Sequence, residues 1–128
     1  LASLGAAAGA PADIGHAETV TRITAKDRAE QRERERMLRQ RVSEVGLPLA
    51  YVNLVGGQDE LVFDGASFVI DAGGALTHQL PMFEEALAVV TLDGTQVTPG
   101  VITAPISTEA EVYGALCLGV RDYVGKNG

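Results

Sequence analysis

The chain has 128 residues and a mass of 13.4 kDa, which length alone reads as one domain at most. Hydrophobic residues at 46% and charged residues at 21% sit near globular averages, which excludes a wholly disordered chain, and no run reaches the roughly 18 to 20 apolar residues that a membrane-spanning helix needs. The net charge is −7; a single cysteine excludes an intrachain disulfide, and two histidines far apart in sequence argue against a thiol or imidazole metal cage, so a reducing, cytoplasmic setting fits.

Residues 1–10 are small and apolar but have no basic segment before them, a weak match to a signal peptide. The absence of an initial methionine, and an end at Lys126-Asn127-Gly128 directly after a helical pattern, raise the expectation of a fragment, with residues 1–25 unassigned and His16 uninterpretable. Seven of the ten basic residues (Lys26, Arg28, Arg32, Arg34, Arg36, Arg39, Arg41) fall within residues 26–41 beside four acids, leaving that window near +3 and the rest of the chain near −10. Either a nucleic-acid-binding helix or a solvated helix with charge pairs explains this window. Interleaved signs, with Glu30 before Arg34 and Glu35 before Arg39 in the favourable i to i+4 order, favour the solvated helix. Leu38, Val42 and Val45 form its apolar stripe, and Gly46 and Pro48 stop it.

From residue 49 the period changes. Residues 49–55 form a nearly unbroken apolar run, as expected of a strand covered on both faces, with Gly56-Gly57 ending it. Phe63, residues 67–71 and residues 75–80 read as short strands around a hairpin turn at Asp71-Ala72-Gly73-Gly74, and residues 86–92 as a further strand closed by Asp93-Gly94. Residues 95–107, with Pro99, Gly100 and Pro105, read as a linker. Thr108-Glu109-Ala110-Glu111 has the form of a capping box, followed by a stripe at Val112, Leu116, Val120 and Tyr123 or Val124, a helix of about four turns. Gly114 and Gly119 lower its propensity by about 1 kcal/mol each and suggest close packing against another surface.

Cys117 lies between two leucines, with no neighbouring His or Lys to lower its pKa, and reads as a buried structural thiol rather than a nucleophile. His78, in a strand, reads as a surface or interface side chain. No dinucleotide-binding, phosphate-loop or zinc-protease motif occurs, so no catalytic residue and no metal ligand is assigned. The conspicuous polar cluster is Gly56-Gly57-Gln58-Asp59-Glu60-Leu61 with Asp64. Its glycines allow backbone amides to approach a ligand, and Gln58, Asp59, Glu60 and Asp64 offer acceptors to an ammonium or amide group; a plain acidic hairpin loop explains the same residues.

Residues 46–68, the triplet Phe83-Glu84-Glu85 and residues 113–128 resemble, in that order, the later glutaminase domain and the first synthetase helix of bacterial glutamine-dependent NAD synthetases. The resemblance covers roughly residues 34–128. It implies an α/β fold, a partial nitrilase-like α-β-β-α sandwich over residues 26–94, then the linker at 95–107 and one helix at 108–128. It also implies a parent enzyme that attacks glutamine with the cysteine of a Glu-Lys-Cys triad and passes the ammonia to an ATP-dependent domain that amidates deamido-NAD. ATP and magnesium are implied for the parent, as is a homo-oligomer. Both catalytic centres are expected outside these residues, leaving the fragment inactive and without cofactor. The expected substrate contacts are Lys26, Asn53, Gln58, Asp59 and Glu60; before the charged helix the family has Gly-Lys where this chain has Ala25-Lys26. The alternative from a different class is a non-enzymatic binding module using the basic helix at 26–41.

Overall fold

The computed structural model describes residues 11–59 and 61–128, with side chains from Arg28 onward. It contains a long helix α1 (Pro11–Val45), seven short strands and a closing helix α2 (Thr108–Asn127). The strands are β1 (Leu49–Tyr51), β2 (Val55–Gln58), β3 (Leu61–Asp64), β4 (Phe68–Ile70), β5 (Leu76–Gln79), β6 (Leu92–Asp93) and β7 (Gln96–Val97). They form an antiparallel sheet in the order β1-β4-β5 and two separate hairpins, β2-β3 and β6-β7. Helix and sheet are mixed, as an α/β class requires, and no described helix is long and apolar enough to cross a membrane.

α1 ends where Gly46 adopts a left-handed backbone at φ 70° and its N–H donates to the Val42 carbonyl at 2.7 Å, a conformation glycine takes without a Cβ penalty. The core sits under its last turns: Val42, Phe68 and Ile70 are buried, with Leu38, Leu49, Tyr51 and Leu76 packed around them. Val45, expected on the same stripe, is instead exposed, because the chain turns away at Gly46 before the sheet reaches it. Along α1, ion pairs form between Arg36 and Glu33 at 2.6 Å and between Arg41 and Glu44 at 3.2 Å. Arg34 and Arg39 reach off the helix, to the Tyr51 hydroxyl and the Gly74 carbonyl.

The doubly covered strand is β4, not residues 49–55. All three residues of β4 are buried, whereas β1 is an edge strand and Val52 is 82% exposed. Asn53 explains the early break. Its N–H donates to Ser67 Oγ at 3.0 Å, and its own side-chain oxygen accepts from the Leu54 N–H at 2.9 Å, so local side-chain bonds replace the ladder. Gly56-Gly57 then lies inside β2 rather than ending a strand.

His78, expected as a surface or interface side chain, is buried within the chain. The register of β4 against β5 shifts between Val69 and Ile70, leaving Thr77 as the extra residue; such a bulge breaks alternation, and Thr77 and His78 are both covered. His78 Nδ1 lies 3.1 Å from Thr77 Oγ1. The stretch read as a linker runs along β5: the Gly100 N–H donates to the Thr77 carbonyl, the Gln79 N–H to Val101, and the Thr103 N–H to the Gln79 carbonyl. Gly100 fits there because an added Cβ would stand 2.1 Å from His78 Nε2. Residues 86–91, expected as a strand, form no bridge among the described residues; only Leu92–Asp93 pairs, through a turn at Gly94.

Candidate functional site

A cavity of about 600 Å³ opens where α1, the β2-β3 hairpin and α2 converge, and Arg34, Tyr51, Asn53, Asp64, Phe83 and Glu111 are among its walls. Each wall residue is held by its own element. Tyr51, at the end of β1, stacks on Phe68 at 5.1 Å between centroids and lies under the Arg34 guanidinium at 5.7 Å. Asn53 Nδ2 donates to Asp64 Oδ1 at 2.8 Å, joining the segment after β1 to the end of β3. Phe83 has a left-handed backbone at φ 61°; its N–H donates to the Asp64 carbonyl at 2.8 Å, and its ring lies against Gly114 of α2. At the far rim, Arg28 Nε donates to Glu111 Oε2 at 2.8 Å and pins the start of α2 to α1.

Burial pushes the Asp64 carboxyl above its ordinary range, and the Glu111 charge adds to this, against the pull of Arg34 and of the Asn53 amide. The site therefore offers a carboxyl that holds its proton more readily than a free aspartate, beside a fixed amide and a cation over an aromatic face. Such a set has the chemistry to hold polar, amide-bearing or cationic groups.

The expected contacts do not gather in one place. Asn53 lies in this cavity. Gln58 and Asp59 sit at the hairpin tip, exposed, beside a second hollow of about 400 Å³ shared with Gly119, Tyr123, Lys126 and Asn127 of α2. The side chain of Lys26, and Glu60 altogether, lie outside the described residues. Arg34, Tyr51, Phe83 and Glu111 escaped the sequence reading; only the Phe83-Glu84-Glu85 triplet signalled one of them.

At the second hollow the Gly57 N–H donates to Asp122 Oδ2 at 2.8 Å, and Lys126 Nζ donates to the Gly57 carbonyl at 2.6 Å. The Gly57 bond, with Arg121 next, holds the Asp122 carboxyl below its ordinary range. Gly114 and Gly119 pack closely as their helix positions suggested, against Phe83 and Gly57. Cys117 is exposed, which corrects its reading as a buried thiol. The packed face of α2 carries Ala115, Leu118, Gly119 and Asp122; of the expected stripe Val112 is half-buried on the first cavity, whereas Leu116, Val120, Tyr123 and Val124 are exposed, as is Cys117. Among the described residues no group of three or more His, Cys, Asp or Glu side chains is placed to hold a metal ion.

No family model matches the chain. It is 47% identical over 92 residues to the glutamine-dependent NAD(+) synthetase of Rhodobacter capsulatus, covering 69% of this chain and 17% of that protein. It is 37% identical over 98 residues to the enzyme of the same name from Synechocystis sp., covering 74% and 18%. A solved structure, glutamine-dependent NAD+ synthetase from Acinetobacter baumannii in complex with ADP, superposes with a TM-score of 0.68 at 39% identity, over 77% of this chain and 19% of that one. The chain thus spans a little under a fifth of the length of the relatives it matches.

Proposed function

We propose, from the premise that this chain belongs to the glutamine-dependent NAD synthetase family, that it is the part of such an enzyme where its two halves meet. Residues 26–94 then close the nitrilase-like glutaminase domain, residues 95–107 connect, and residues 108–128 open the synthetase domain. The parent amidates deamido-NAD in an ATP-dependent reaction with ammonia taken from glutamine, as a cytoplasmic homo-oligomer. The observation that carries this reading is that the two separated stretches resembling the family, 46–68 and 113–128, lie against each other through Gly57, Asp122 and Lys126.

The sequence has no phosphate-binding glycine loop, and ATP and magnesium are assigned to other parts of the parent. Cys117, between two leucines and with no His or Lys beside it in sequence to act as base, is not assigned the nucleophile's role. What the chain contributes is the frame: a cavity around Asn53 and a hairpin tip at Gln58 and Asp59, two separate places for substrate or domain contact, with Lys26 and Glu60 as further candidates. A nucleic-acid module on residues 26–41 is disfavoured because Arg28, Arg34, Arg36, Arg39 and Arg41 already bind acceptors within the protein.

Complementation tests the reading. In a strain depleted of its own NAD synthetase, the full-length gene carrying this chain is expected to restore growth, and the same gene lacking codons 46–128 is not. Failure of the full-length gene, or growth on the deleted one, would count against it.

A further inference from the structure

Among the described residues β2 has a strand neighbour on one side only, so its other edge presents backbone groups that no described strand pairs. At that edge Gly57 turns both of its backbone polar groups to α2, the N–H to Asp122 and the carbonyl to Lys126. Asp122 and Lys126 are four residues apart and so share one helix face. The approach is helped by the absence of side chains: a Cβ on Gly57 would stand 3.0 Å from Gly119 Cα, tighter than most real side-chain contacts, so the helix would have to give by a few tenths of an ångström. α2 therefore takes the place of a missing strand. Its opposite end is pinned as well, by Arg28 on Glu111 and on the Ile106 carbonyl, and the segment leading into it is bonded along β5.

We infer that Asp122 and Lys126 are positioning residues that lock the β2-β3 hairpin of one half of the parent to the first helix of the other, holding the two halves in the one orientation in which ammonia released by the first is used by the second. This rests on the function proposed above. A slide of α2 along β2 breaks both contacts of this clasp together, since both rest on Gly57. Neither residue is among the candidate substrate contacts, which are Lys26, Asn53, Gln58, Asp59 and Glu60. Loss of the clasp is expected to separate the two activities without lowering either.

The test uses the full-length enzyme with Lys126→Met, which keeps the side-chain stem, Asp122→Asn, which keeps the shape, and Lys126→Arg, which keeps the donor. Glutamate release from glutamine, NAD formation from ammonium, and NAD formed per glutamine hydrolysed are measured for each. With Lys126→Met the last ratio is expected to fall about fivefold, the low end of ordinary coupling between sites, while the two separate rates stay at wild-type level. Asp122→Asn should lower the ratio in the same sense and Lys126→Arg should restore it. An unchanged ratio in both Lys126→Met and Asp122→Asn, or a fall matched by an equal loss of ammonium-driven NAD formation, would overturn the inference. A wild-type enzyme that makes no NAD from either nitrogen source overturns the functional reading instead, and the inference with it.

Discussion

At Asp64, burial lifts the carboxyl above its ordinary pKa, so the folded chain binds this proton more readily than the unfolded one. The sign follows directly. The group favours the fold most when protonated, and that contribution is lost as pH rises from the unfolded pKa through the higher folded one. Asp64→Asn removes the charge and keeps an acceptor for Asn53; it is expected to raise Tm at pH 7, with the gain shrinking by pH 4, as thermal unfolding at the two values would show. A lower Tm at pH 7 would mean that attraction to Arg34 outweighs the cost of burial. Single residues were legible in the sequence only where local chemistry sets their role. Asn53 is named only within the stretch that resembles the family, and the helix glycines are legible because close packing explains them. Arg34 looked like one more charge on a solvated helix, since spacing along α1 does not tell which arginine meets a tyrosine from β1. The burial of His78 was not legible because alternation fails at a bulge, and bulges leave no mark in the period.

Elements fared better than their faces. The helix at the C-terminal end is present and capped, but the cap is one residue earlier than the motif suggested: Ser107, extended at ψ 162°, accepts from the Ala110 N–H at 3.2 Å. Ser107→Ala is therefore expected to cost about 1 kcal/mol in denaturant unfolding, and Thr108→Ala less than about 0.5 kcal/mol. Equal costs, or a larger one at Thr108, would return the cap to the motif. Which side of α2 is packed was not legible, because both sides carry apolar residues and the choice is made by the glycine edge of β2. The run at 86–92 has strand composition, yet pairing requires a partner, and only its last residues find one here. Hairpin turns were the most legible features, since Gly73-Gly74 and Asp93-Gly94 satisfy their own local geometry.

The core around Val42, Phe68 and Ile70 is small, and Leu87 and Val89 are 95% and 83% exposed. Each large aliphatic side chain left in water forgoes about 1.5 to 3 kcal/mol, so a few of them offset much of an ordinary stability of roughly 5 to 15 kcal/mol. The 128 residues expressed alone are expected to self-associate as concentration rises in sedimentation velocity; a clean monomer with strong amide protection across residues 49–92 would show instead a complete domain. This scale was the least legible from composition, which is globular throughout, and became readable only through the resemblance of residues 46–68 and 113–128. The most direct test of the family function follows the nitrogen atom. The full-length enzyme is given deamido-NAD, ATP and glutamine labelled with ¹⁵N in its side-chain amide, and the NAD formed is examined by mass spectrometry. The expected result is ¹⁵N in the nicotinamide carboxamide of the NAD; NAD without the label, or no NAD at all, would contradict it.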